Sequence, residues 1–102
     1  MGIVAPLFPP VQIQDGLLWR ESVGDVMRQE RVDRGERLTD VAGRAGVSPQ
    51  YLSEIERGMK DPSSEMLHAI AGALGLEVPD LARRAADTME ATLSDCAVVL
   101  AA

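Results

Sequence analysis

Gly46-Val47-Ser48-Pro49-Gln50-Tyr51-Leu52-Ser53-Glu54-Ile55-Glu56-Arg57-Gly58 reads as a short helix with both ends marked in the chain. Ser48 can accept a hydrogen bond from an unpaired amide at the helix start. Pro49 suits the first helical position, where no amide partner is needed. Gly58 supplies a left-handed stop. Between these marks Leu52 and Ile55 share an apolar face, while Gln50, Ser53, Glu54 and Arg57 share the opposite one. An apolar back with a short, polar, hydrogen-bonding front is what the DNA major groove admits. An ordinary surface helix carries the same stripe, so the flanking chain has to decide between the two.

Working outward, Leu38, Val41, Ala42 and Ala45 recur at helical spacing and predict a helix from Leu38 to Ala45. Gly46 and Val47 then make a tight turn into the opening stretch. Two short helices joined by a three- to four-residue turn containing glycine form the helix-turn-helix pattern. Ala42 lies where the two helices would cross, and its small side chain permits close approach. Upstream, Val23, Val26 and Met27 predict a helix from about Glu21 to Arg34, ended by Gly35. Downstream, Ser63 caps a helix running to about Leu74, with Leu67, Ile70, Ala71 and Leu74 inward and Gly75 as its stop. Pro79 opens a last helix, with Leu81, Ala85, Met89 and Leu93 four residues apart. The expected fold class is all-α, with five helices.

Composition agrees. A chain of 102 residues is one small domain with room for an appendage. Its hydrophobic share is 46%, yet Phe8, Trp19 and Tyr51 are the only aromatics, so the core must be aliphatic, which suits small helices better than a sheet. One cysteine, Cys96, cannot close an internal disulfide, and no Cys/His ligand spacing points to a metal. No cofactor is expected. There is no apolar run of the roughly 20 residues that span a bilayer, and the N-terminus lacks a signal-peptide pattern, so a cytoplasmic protein without a membrane role is expected.

The net charge of −6 argues at first sight against a polyanion as partner. Its distribution softens that. From Arg20 to Lys60 eight bases face eight acids, while from Asp61 onward seven acids face only Arg83 and Arg84. The acidity sits in the tail, and the middle can present a basic face. Weak non-specific DNA affinity and dependence on a specific site are the expectation.

The run Val23-Gly24, Met27-Arg28, Arg31, Leu38-Thr39-Asp40-Val41-Ala42, Gly46-Val47-Ser48, Tyr51-Leu52-Ser53, Ile55-Glu56-Arg57-Gly58 and Pro62-Ser63 resembles the phage-repressor-like (Xre/Cro-type) DNA-binding domain. The resemblance covers about residues 20–82. Within that family, Tyr51-Leu52-Ser53-Glu54-Ile55-Glu56-Arg57-Gly58 followed by Lys60 and Ser63-Ser64-Glu65 looks most like the actinobacterial regulators of Clp protease genes. The resemblance implies a helix-turn-helix DNA-binding domain over residues 19–82, beside an expected extended or disordered arm over 1–18 and an expected dimerisation helix with an apolar tail over 83–102. It also implies a sequence-specific transcription regulator, an activator of Clp genes that binds a two-fold operator in double-stranded DNA as a homodimer. RNA polymerase and the Clp protease are the further partners it would bring.

The same resemblance implies residue roles. Gln50 would pair bidentately with adenine, Glu54 would accept from a cytosine amino group, and Ser53 could do either job weakly. Pro49 offers apolar contact alone, which leaves more of the specificity to DNA shape. Arg57 and Lys60 would meet phosphates, as would Arg31, the Tyr51 hydroxyl and the amides near Leu38 and Ser63. The family often has a polar side chain at the Leu38 position, where leucine can offer only its backbone. Arg31 and Glu56 would pair across the first and third helices and hold the recognition helix in place; two solvated surface charges are the alternative.

The ends of the chain carry separate expectations. The arm holds Pro6, Pro9 and Pro10 with scattered apolar residues such as Ile3 and Phe8, and reads as extended or disordered. Leu81, Ala85, Met89 and Leu93 are expected to pair two copies, because a domain this small has little core left to cover; a helix folded back on its own domain is the rival. Leu100-Ala101-Ala102 resembles the small apolar ends recognised by Clp proteases. His68 reads as a solvated side chain and Cys96 as a small hydrophobe near the seam. An antitoxin of the same fold, neutralising a partner toxin, is the competing function. An enzyme is rejected, since the chain shows no nucleophile–base constellation and no phosphate-cradling glycine loop.

Overall fold

The computed structural model describes residues 18–101, with only the helical backbone over 92–101. The described chain is five helices joined by short turns: α1 (Trp19–Asp33), α2 (Leu38–Ala45), α3 (Pro49–Glu56), α4 (Ser64–Ala73) and α5 (Val78–Ala101). The expected arm, residues 1–17, lies outside the described residues, and so do the side chains of Leu93, Cys96, Leu100, Ala101 and Ala102.

Each helix starts and stops for a local reason. Ser48 Oγ accepts from the Tyr51 amide at 3.0 Å and Ser63 Oγ from the Met66 amide at 3.2 Å, so hydroxyls cap α3 and α4. Neither α1 nor α2 has a side-chain cap at the residue before it. An acid three residues in reaches back instead: Glu21 Oε1 accepts from the Leu18 amide at 3.2 Å and Asp40 Oδ2 from the Arg37 amide at 3.0 Å. That reach places the start of α1 at Trp19, two residues before the position expected from its apolar spacing. Gly46, at φ +77°, ends α2. There the Val47 amide returns to the Ala42 carbonyl at 3.0 Å, closing a left-handed turn that a side chain would strain.

The apolar faces meet in one core. Val23, Val26 and Met27 come from α1, Val41 and Ala42 from α2, Leu52 and Ile55 from α3. Ile70, Ala71 and Leu74 follow at the end of α4, and Leu81 and Ala85 come from α5. Met27, Leu52, Ile55 and Ile70 are wholly buried. Each large aliphatic side chain of this kind contributes about 1.5–3 kcal/mol.

The last helix corrects one expectation. Leu81 is 1% exposed and Ala85 0%, both inside the domain's own core. They are therefore not free to pair with a second copy. The first two turns of α5 lie back over α1, where Arg84 Nη1 meets Glu30 Oε1 at 2.9 Å. Of the four expected seam residues, Met89 alone is half-exposed among those whose side chains are described.

Candidate nucleic-acid interface

Helix α3 is held from three sides. Ser48 and Gly46 fix its start. Its apolar back, Leu52 and Ile55, is sealed in the core. Its end rests on α1 at Gly24, where any Cβ would overlap the Ile55 carbonyl oxygen and press on that of Glu56. Glycine is thus required for the two helices to approach so closely, a need that no local pattern in the sequence announces.

Beside that contact the Arg31–Glu56 pair is a fork. Arg31 Nε donates to Glu56 Oε2 at 2.8 Å and Nη2 to Oε1 at 2.9 Å, while Nη1 donates to the Glu36 carbonyl at 3.0 Å. The side chains are 14% and 5% exposed, so these are not two solvated charges. The carboxylate hydrogen bond pushes Arg31 further toward its charged form. Three of the five guanidinium hydrogens point inward, which leaves two for any phosphate. Arg31 is first of all a clamp on the end of α3.

The outward edge of α3 carries the expected base-reading set. Pro49 and Gln50 are exposed, and Ser53 and Glu54 are half-exposed on the same side. Arg57 follows, exposed, with Nε only 3.4 Å from the Ser53 carbonyl of its own turn. The remaining expected phosphate contacts are placed differently. The Tyr51 ring packs against the core. Lys60 does not project freely: its Nζ lies 3.1 Å from Glu54 Oε1 and 5.8 Å above the Tyr51 ring centroid. Leu38 also packs on the core, and the first turn of α2 already holds the Asp40 carboxylate, a competitor for any phosphate there. Ser63 is exposed, and its hydroxyl can donate outward while accepting from Met66.

Most of the other cations serve the scaffold. Arg34 Nη1 donates to the Leu74 carbonyl at 2.9 Å and Arg44 Nη2 to the Ala73 carbonyl at 2.9 Å, so two arginines close the end of α4. Arg20 Nε donates to the Gly58 carbonyl at 3.1 Å. Glu36 sits between Arg34 and Arg44 and pairs with both. Arg28 is exposed and makes no ion pair among the described residues. It lies on the stripe Gly24, Arg28, Arg31 that faces the end of α3, and makes a phosphate candidate that the sequence reading passed over. The i, i+4, i+7 spacing of that stripe was the signal for it.

Comparison with known proteins agrees with this geometry. Residues 27–81 match the family model described as Helix-turn-helix (HTH_3). A transcriptional regulator ClgR from Mycobacterium tuberculosis is 58% identical over 59 residues, covering 58% of this chain and 53% of its own length. The regulator DdrOP3 of Deinococcus deserti is 47% identical over 55 residues, covering 54% of this chain and 43% of its own. The chain therefore spans about half the length of the curated relatives it matches. The crystal structure of the clp gene regulator ClgR from Corynebacterium glutamicum superposes with a TM-score of 0.72 at 45% identity, covering 81% of this chain and 90% of that one. No described helix is long and apolar enough to cross a membrane. With the matched segment taking in the whole of α2, α3 and α4 and both members of the Arg31–Glu56 pair, the chain belongs to the helix-turn-helix family.

Proposed function

We propose that the chain is a sequence-specific DNA-binding transcription regulator that controls Clp protease genes. The observation that carries this reading is the posture of α3. Its back is sealed in the core and its end is clamped by Arg31 and Glu56, which leaves Gln50, Ser53 and Glu54 along one outward edge. A rigid edge of that width suits a major groove, where an amide can pair with adenine and a carboxylate can accept from cytosine. The likeness to the ClgR regulators supports the choice of Clp genes as targets.

A two-fold operator is part of the same proposal. Two copies would set their recognition helices about 34 Å apart on successive turns of the duplex. With Leu81 and Ala85 used inside the domain, the seam between the two copies would fall to Met89 and the chain beyond it. Activation would bring RNA polymerase as a partner.

Selection of bound sequences from random duplexes tests the central claim. A palindromic consensus bound about a thousandfold tighter than a shuffled duplex is the expected result. Equal affinity for both at low salt would overturn it.

A further inference from the structure

Glu54 sits on the outward edge of α3, and a bare carboxylate there faces a polyanion. Among the described residues its ion-pair partner is Lys60, which lies past the helix end and reaches back to bring Nζ to 3.1 Å from Oε1. The Lys60 ammonium also stands 5.8 Å from the centre of the Tyr51 ring. Tyr51 and Glu54 are one turn apart, so a single lysine spans both. The contact with the ring favours one placement of a side chain that is otherwise flexible, since an ammonium is attracted to an aromatic face. The Glu54 side chain is only 20% exposed, while that of Lys60 is 54% exposed. The carboxylate is thus the held partner and the lysine the outer brace.

Building on the DNA-binding function proposed above, we infer that Lys60 is a positioning residue for Glu54, and that the pair makes the helix demand a cytosine at one operator position. Lys60 offsets the carboxylate's repulsion from phosphates. With Oε1 engaged by the lysine, the other oxygen is left as a single aimed acceptor. In the major groove an amino donor is offered by cytosine and by adenine, but adenine sets its N7 acceptor beside that amino group and against the carboxylate, while guanine and thymine present acceptors there. A guanine or thymine at that point would face a carboxylate with no proton between them. Lys60 is accordingly more than one of several phosphate contacts.

The test uses the full chain, its selected duplex and the three duplexes that replace the base pair facing Glu54. That pair is located as the one whose preference changes in Glu54→Gln. Wild type should favour cytosine there by about tenfold. Lys60→Met should bring the four duplexes to within about twofold of one another, with preference at the Gln50-facing pair and the melting temperature unchanged. Lys60→Arg should restore most of the discrimination, and Lys60→Met placed on Glu54→Gln should remove no more of it. A uniform loss of affinity over all four duplexes, with the salt slope reduced by about one, would make Lys60 a plain phosphate contact and overturn the inference. Wild type with no preferred duplex would instead remove the DNA-binding reading beneath it.

Discussion

Glu56→Ala removes the carboxylate that holds Arg31 and, through it, the end of α3. The variant would leave two guanidinium nitrogens, Nε and Nη2, without acceptors on a side chain that is 14% exposed. Losing one partner of a buried pair costs about 3–5 kcal/mol when the survivor stays buried. Arg31 keeps its bond to the Glu36 carbonyl at 3.0 Å and can swing partly into water, so a loss of about 2–3 kcal/mol is expected. For a domain of this size that lowers the melting temperature by roughly 10–20 °C. Operator affinity should fall with it, because α3 is no longer pinned to α1. Calorimetry on Glu56→Ala, Arg31→Met and the double variant checks the origin of the loss: the double should melt well above the sum of the two singles. The sign with pH follows from Arg31. Its folded-state pKa is raised, chiefly by the Glu56 hydrogen bond, so its share of stability is complete below the unfolded value and fades only in strongly alkaline solution. The deficit of Glu56→Ala should therefore stay level from neutral to mildly alkaline buffer. A melting temperature within about 2 °C of wild type, or singles that simply add, would refute the clamp.

Other variants probe separate contacts. Gly24→Ala should cost about 1–3 kcal/mol by forcing α1 away from the Ile55 and Glu56 carbonyls, and circular dichroism melts would register it. Leu81→Ala should lower stability by about 2–5 kcal/mol and leave the oligomeric state in sedimentation unchanged, since the side chain lies in the domain's own core. Arg28→Ala and Arg57→Ala should each weaken binding evenly across sequences and lower the salt slope by about one, without moving the melting temperature. The Asp40 carboxyl is held below its usual range, chiefly by the Arg37 amide. Its stabilisation of the start of α2 is thus present above the unfolded value and lost as acid protonates it. The protection of the Arg37 amide, its exchange rate relative to that of an unstructured amide at the same pH, should fall in wild type as the solution is acidified, and be low throughout in Asp40→Ala.

What could be read from the chain alone was whatever is written locally. Ser48, Pro49 and Gly58 delimit α3, Ser63 and Gly75 bracket α4, and the aliphatic spacing gives each helix its inward face. The start of α1 was misplaced because Glu21 does the capping from inside the helix rather than a hydroxyl before it. The fate of Leu81 and Ala85 was not legible, because helical spacing reports that a face is apolar and not which surface covers it. The tightness at Gly24 depends on how α1 and α3 come together, and the reach of Lys60 back to Glu54 on the path of the turn after α3, so composition and spacing around them are silent. The arginine bonds to the end of α4 join residues up to 40 positions apart, a distance over which no sequence pattern extends.

Those arginine hooks shape how the molecule would behave among many sites. With Arg20, Arg34 and Arg44 turned onto the protein's own carbonyls, fewer cationic groups remain free to grip a duplex indiscriminately. A genome presents about a million to a billion competing stretches, and a regulator drawn to all of them is diluted away from its target. A chain with part of its positive charge occupied at home would spend less time parked on irrelevant DNA. A modest number of copies could then keep an operator filled, and its occupancy would follow small changes in that number.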